Sequence, residues 1–147
     1  MITVFVYGTL RRGEANDIVS AATRHGIAEP ELLGSATVKG VLYDFGGYPG
    51  LIPDPSGTDV LGDVYRIDPA LVPVLDEIED VYPDQQGLFL HQQIRVEPVR
   101  DGLPTPCDCL FYPITPAAAA QRLVIEGGDW VVHRKNRDAS PVRVLLD

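Results

Sequence analysis

Four carboxylates crowd the short segment VLDEIED: Asp76, Glu77, Glu79 and Asp80. A carboxylate beside apolar groups loses hydration, and one beside other acids feels their repulsion. Both effects raise its pKa toward the range in which a side chain can take and return a proton near neutral pH. On a helical wheel of ~100° per residue, Leu71, Val74, Leu75 and Ile78 form one apolar stripe with Val72 at its margin. Glu79 falls between Val72 and Leu75, so it is the acid nearest that stripe, while Asp76, Glu77 and Asp80 can stay in water. Glu79 is therefore the candidate proton-transfer group. The plainer reading is an acid at a helix end, on the rim of the core. A hydrolase using Glu79 with Asp76 or Glu77 is disfavoured, because neighbours on one helix cannot flank a substrate from opposite sides.

A second candidate lies in VYGTLRRG. An apolar run ends at Gly8, and the following backbone N–H groups of Thr9 and Leu10 could converge on an anion, with Arg11 and Arg12 adding cations beside them. An ordinary strand exit has the same pattern. Neither GxxxxGK[ST] nor GxGxxG occurs, so this is not a phosphate loop, and no GxSxG or Cys/His signature supplies a nucleophile. Cys107 and Cys109 form one CxC on a single strand face, which reads as two buried small hydrophobes rather than a metal site. His25, His91 and His133 stand far apart, with no ligand spacing between them. No metal is expected.

The elements that must position these groups are short, because 14 Gly and 13 Pro punctuate a chain of 147 residues and 16.0 kDa, enough for one domain. Ile2 to Tyr7 is an apolar, β-branched run that predicts a strand buried on both faces. Glu14 to Arg24 predicts a short helix, Ser35 to Phe45 a strand, and GGYPGLIPDPSG an ordered loop. Val60 to Ile67 alternates as a strand. Asp68 and Pro69 then supply an N-cap and a first-turn proline for a helix to about Asp80, whose regular part starts near Pro73. Phe89 to Val99 and Cys107 to Tyr112 predict further strands, and PAAAAQRL a short helix. The stretch VVHRKNRDASPVRVLLD either packs on the body or lies loose. Strands and helices that do not alternate strictly indicate an α+β domain with a mixed sheet or barrel.

With 12 Lys+Arg against 21 Asp+Glu the net charge is −9, which repels phosphate backbones and argues against a nucleic-acid partner. Mean hydropathy is +0.02, and no run reaches the ~18 apolar residues of a membrane span. The N-terminal apolar run precedes its basic residues, the reverse of a secretory signal, so a cytoplasmic location is expected. Oligomeric state is not legible.

In chain order, YGTLRRG at 7–13, ELLGSATVKGVLYDFGGYPGL at 31–51, VLDEIED at 74–80 and GGDW at 127–130 resemble the γ-glutamylcyclotransferase-like family over nearly the whole length. The resemblance implies a mixed β-barrel with two or three flanking helices and a cavity at one end. It places the family's YGTL on Tyr7, Gly8, Thr9 and Leu10, whose backbone would line the substrate pocket. The family's catalytic glutamate falls on Glu79, its loop tyrosine and proline on Tyr48 and Pro49, and a late strand tyrosine on Tyr112. Asp80 stands where many members have glycine, Phe89, Leu90 and His91 depart from a Y-x-R pattern, and VYPDQQGL is a longer spacer. These changes put the leaving group, more than the reaction, in question.

The implied reaction is attack by a γ-glutamyl α-amine on its own γ-carbonyl, giving 5-oxoproline and a free amine or amino acid. The substrate supplies its nucleophile, so no cofactor is expected and the partner is a small γ-glutamyl molecule. Glu79 would take the amine proton and return one to the departing nitrogen. The acidic surface favours a cationic or neutral leaving amine. The alternative is a binding or regulatory member of the same fold without turnover.

Overall fold

The computed structural model describes residues 1–80, 92–99, 102 and 104–146, with the side chains at 79, 80, 92 and 139–146 outside that description. Five strands close a ring. They are β1 (Ile2–Val6), β2 (Glu31–Asp44), β4 (Thr58–Ile67), β5 (Gln92–Pro98) and β6 (Cys107–Phe111). The order runs β2, β4, β1, β6, β5 and returns to β2 through Ala36 opposite Pro98 and Thr37 opposite Glu97. β1 and β6 are parallel and the other pairs antiparallel, so the barrel is mixed.

Alternation along the strands divides the core in two. Phe5, Ala36, Val38, Val60, Val64, Val96, Cys109 and Phe111, drawn from all five ring strands, fill the barrel interior. Val4, Val6, Tyr65, Ile67 and Leu110 point outward and are covered by Ile18 and Ala22 of α1 (Ile18–Arg24) and by Leu71 and Leu75. β1 is thus buried on both faces, as its unbroken apolar run predicts.

Two expectations shift in detail. The helix expected from Glu14 begins at Ile18, because residues 11–16 are taken up by turns: Arg11 N bonds Gly8 O, Glu14 N bonds Arg11 O, and Asn16 N bonds Thr9 O. Asp17 then caps α1, accepting from Val19 N at 2.9 Å. Asp68 does cap its helix, accepting from Ala70 N at 2.9 Å, but the first turn, Pro69–Leu71, is 3₁₀ and α2 proper is Val72–Asp80.

One expectation is overturned. Within the stretch expected to be loop, Pro49–Pro53 is a strand, β3, paired antiparallel to the end of β2 from Asp44 opposite Pro49 to Gly40 opposite Pro53. The two prolines are tolerated because they stand at its ends, and among the described residues β3 pairs with no other strand. Gly46 and Gly47 are the two-residue hairpin connection, with Phe45 N bonded to Tyr48 O at 2.9 Å and Gly46 at φ 91°.

After α3 (Pro116–Ala119) and β7 (Leu123–Val124), which pairs with Tyr43 and Asp44, the chain forms α4 (Trp130–Leu146). Asp129 caps α4 through Val131 N at 3.0 Å, and fully buried Trp130 seats its first turn among the residues of the barrel interior. α4 exceeds the two or three helices expected; of the stretch left open as packed or loose, Val131, His133 and Arg137 lie against the body, and the side chains of 139–146 lie outside the described residues. The expected strand at Phe89–Val99 is described from Gln92; Phe89, Leu90, His91 and the spacer VYPDQQGL lie outside the described residues.

Candidate active site

β1 delivers Tyr7 and the Gly8–Leu10 backbone to one end of the barrel, the β2–β3 hairpin delivers Tyr48 and Pro49, and the exit of β6 delivers Tyr112. All seven wall one shallow depression, which Phe5 and Val6 also line. Tyr7 helps to hold these sequence-distant segments together. Its hydroxyl donates to Tyr112 O at 2.6 Å and accepts from Leu51 N at 3.1 Å. Gly8 approaches the hairpin so closely that a Cβ on it would lie 2.5 Å from Pro49 Cγ. Thr9 is buried, with Asn16 Nδ2 donating to its hydroxyl at 3.1 Å.

Arg11 does not stand as a free cation beside this loop. Its Nε and Nη1 lie 3.2 Å from Asp63 and from Asp129. The GGDW segment explains itself through that contact and through Gly128, which sits at φ 69° where a Cβ would meet Asp59 O at 2.2 Å.

Helix α2 reaches the depression through a residue that sequence reasoning left in water. Asp76 Oδ1 accepts the Tyr112 hydroxyl at 2.6 Å. The wheel holds the signal for it: Asp76 is four residues after Val72 and so lies only ~40° from it. Glu79 occupies the last turn of α2, and its helical position falls between buried Leu75 and Asp76. Its side chain lies outside the described residues.

Behind the hairpin stands a charged cluster that sequence reasoning did not assemble. Asp44, at the end of β2, meets His133 Nε2 at 2.7 Å and Arg137 Nη1 at 3.1 Å, and accepts from Gly46 N at 2.6 Å. Burial opposes its ionisation, but hydrogen bonds from His133 and Gly46 and the nearby Arg137 charge outweigh that and hold its carboxyl below the usual range. The cysteines are elsewhere, with Sγ atoms 3.3 Å apart on β6. Burial, reinforced by Cys107, pushes the Cys109 thiol up to about 12, so it stays protonated. Among the described residues no three His, Cys, Asp or Glu side chains are grouped to hold a metal, and no helix is long and apolar enough to cross a membrane.

The sequence and the barrel fold match known proteins. Residues 4–132 match the family described as gamma-glutamyl cyclotransferase, AIG2-like. A Halalkalibacterium halodurans protein named "Putative gamma-glutamylcyclotransferase" is 36% identical over 70% of this chain and 88% of its own. The gamma-glutamylcyclotransferase family protein YtfP of Escherichia coli is 31% identical over 87% of this chain and 95% of its own. The crystal structure of an AIG2-like protein from Mus musculus superposes with a TM-score of 0.65 at 24% identity, covering 86% of each chain. The chain belongs to the γ-glutamylcyclotransferase, AIG2-like family.

Proposed function

We propose that this chain is a γ-glutamylcyclotransferase that releases 5-oxoproline and a free amine or amino acid. The observation that carries the reading is the convergence of Tyr7, Gly8, Thr9, Leu10, Tyr48, Pro49 and Tyr112 on one depression, with α2 tied to it through Asp76. In this reading the walls hold a γ-glutamyl group curled so that its α-amine faces its own γ-carbonyl, which draws on the large proximity term of intramolecular attack. The amine is protonated at neutral pH and inert, so Glu79 takes its proton. After the C–N bond of the ring forms, Glu79 returns a proton to the departing nitrogen.

Asp76 supports that role. Its bond to Tyr112 Oη ties α2, the helix whose last turn holds Glu79, to the wall of the depression. The Gly8–Leu10 backbone lies where it could face the substrate carboxylate or the developing oxyanion. The net charge of −9 favours a cationic or neutral leaving amine over an anionic peptide such as glutathione.

The test is mass-spectrometric detection of 5-oxoproline from wild type and Glu79→Gln, each incubated with γ-glutamyl amines, γ-glutamyl amino acids and glutathione. The expected result is product from wild type and a turnover lower by ~10²–10⁴ in the variant. Equal turnover by the two proteins removes Glu79 from the mechanism. A folded wild type that binds these compounds without product supports the binding-module alternative.

A further inference from the structure

The hairpin that carries Tyr48 and Pro49 into the pocket wall contains two successive glycines, the residues least able to hold a turn by themselves. It is gripped by charged side chains of α4, none of which lines the depression. Arg137 Nη1 reaches both Asp44 carboxylate oxygens at 3.1 Å and Gly46 O at 2.6 Å, so one guanidinium nitrogen spans the strand end and the turn. His133 Nε2 takes the Asp44 Oδ2 side at 2.7 Å, and Gly46 N the Oδ1 side at 2.6 Å. On the hairpin itself Phe45 stacks on Tyr48 with ring centroids 5.3 Å apart, and Arg122 lies over Phe45 at 4.6 Å. Arg137 also lies over the Trp130 ring at 5.4 Å, so the gripping helix is anchored in the barrel it braces.

We propose that Arg137 and His133, acting through Asp44, are positioning residues for the pocket: they hold the Gly46–Pro49 turn so that Tyr48 stands at the wall, and thereby set how tightly a ligand is held. The family match ends at residue 132, so both gripping side chains lie beyond it. The identity of the ligand rests on the cyclotransferase reading; the grip itself does not. A brace that served stability alone would lower folding free energy without changing the balance between substrate affinity and turnover.

The experiment compares wild type, Arg137→Met and Arg137→Lys in 5-oxoproline kinetics and in backbone amide exchange across residues 44–52. Arg137→Met is expected to raise KM roughly tenfold with kcat within about twofold, the loss of charge-assisted bonds appearing as weaker holding of substrate. Amide exchange at Phe45 and Gly46 should speed up. Arg137→Lys should recover part of both effects, since an ammonium carries the charge and donors that Nη1 supplies here, but on a different stem and without the guanidinium plane. Unchanged KM, or a fall confined to kcat, overturns the proposal. If wild type turns over no γ-glutamyl compound, the cyclotransferase reading fails, and exchange alone then decides the grip: an unchanged exchange pattern in Arg137→Met overturns it.

Discussion

Tyr112 donates its hydroxyl to Asp76 Oδ1 at 2.6 Å, joining the exit of β6 to the middle of α2. The same tyrosine's backbone carbonyl receives the Tyr7 hydroxyl at 2.6 Å. One residue therefore fixes the distance between the YGTL strand and the acid-bearing helix, and any chemistry by Glu79 against a ligand on the YGTL side depends on that distance.

Tyr112→Phe removes only the hydroxyl and leaves a half-buried Asp76 without that donor. A hydrogen bond to a charged group is worth ~1.5–3 kcal/mol, so stability in urea should fall by a substantial part of that amount. Turnover of a γ-glutamyl substrate should fall with it, as α2 loses its tie to the pocket. Wild-type stability and wild-type kinetics together in this variant would show that the bond positions nothing.

Gly8→Ala tests the closeness of strand exit and hairpin. The new Cβ would lie 2.5 and 2.7 Å from Cγ and Cδ of Pro49, and a proline ring has no flexible end to swing away. Overpacking of this kind costs ~1–3 kcal/mol, and the hairpin must shift outward to relieve it. A lower urea midpoint is expected, together with weaker substrate binding. A variant as stable as wild type would mean that the hairpin yields freely, against the grip proposed for Arg137.

Much of this arrangement was legible before the structure, and the exceptions have physical causes. β1, the Asp68 cap and the seven pocket-wall positions depend on local signals or on resemblance, and the chain carries those in plain form. β3 escapes the sequence reading because prolines count against strands in general, whereas here they stand at the ends of a strand that, among the described residues, pairs only with β2. The Gly46-Gly47 pair between two apolar runs was the available hairpin signal. α4 was missed because its anchor, Trp130, is a single buried aromatic whose partners come from distant strands. Asp76 reads as solvated because it lies beyond Val72, at the margin of the apolar stripe, and the wheel shows that nearness but not the tyrosine 36 residues away that uses it. The Asp44, His133 and Arg137 cluster spans 93 positions and has no sequence spacing to betray it.

Native-state alkylation should separate the two cysteines. Cys109 is fully buried and its thiol is pushed up to about 12, which at pH 8 lowers the reactive thiolate fraction by ~10³ relative to an ordinary cysteine. Iodoacetamide should therefore label half-buried Cys107 first, and Cys109 only after unfolding. Rapid native labelling of Cys109 would contradict the sealed barrel interior.

The Asp44 cluster makes a signed prediction about pH. Its carboxyl is held below the ordinary value of 3.8 in the folded chain, so folding favours the ionised form. The resulting stability is present in full above the unfolded value, and it is lost as pH falls through the folded one. Asp44→Asn keeps the shape and removes the charge, leaving Arg137 and His133 beside a neutral amide with one acceptor oxygen in place of a carboxylate with two. Urea unfolding should show wild type more stable than Asp44→Asn at pH 7, with the gap narrowing only below about pH 4 as Asp44 gains its proton. A gap of constant size from pH 7 down to acid unfolding would mean that Asp44 contributes by shape alone and that its charge does not bind α4 to the hairpin.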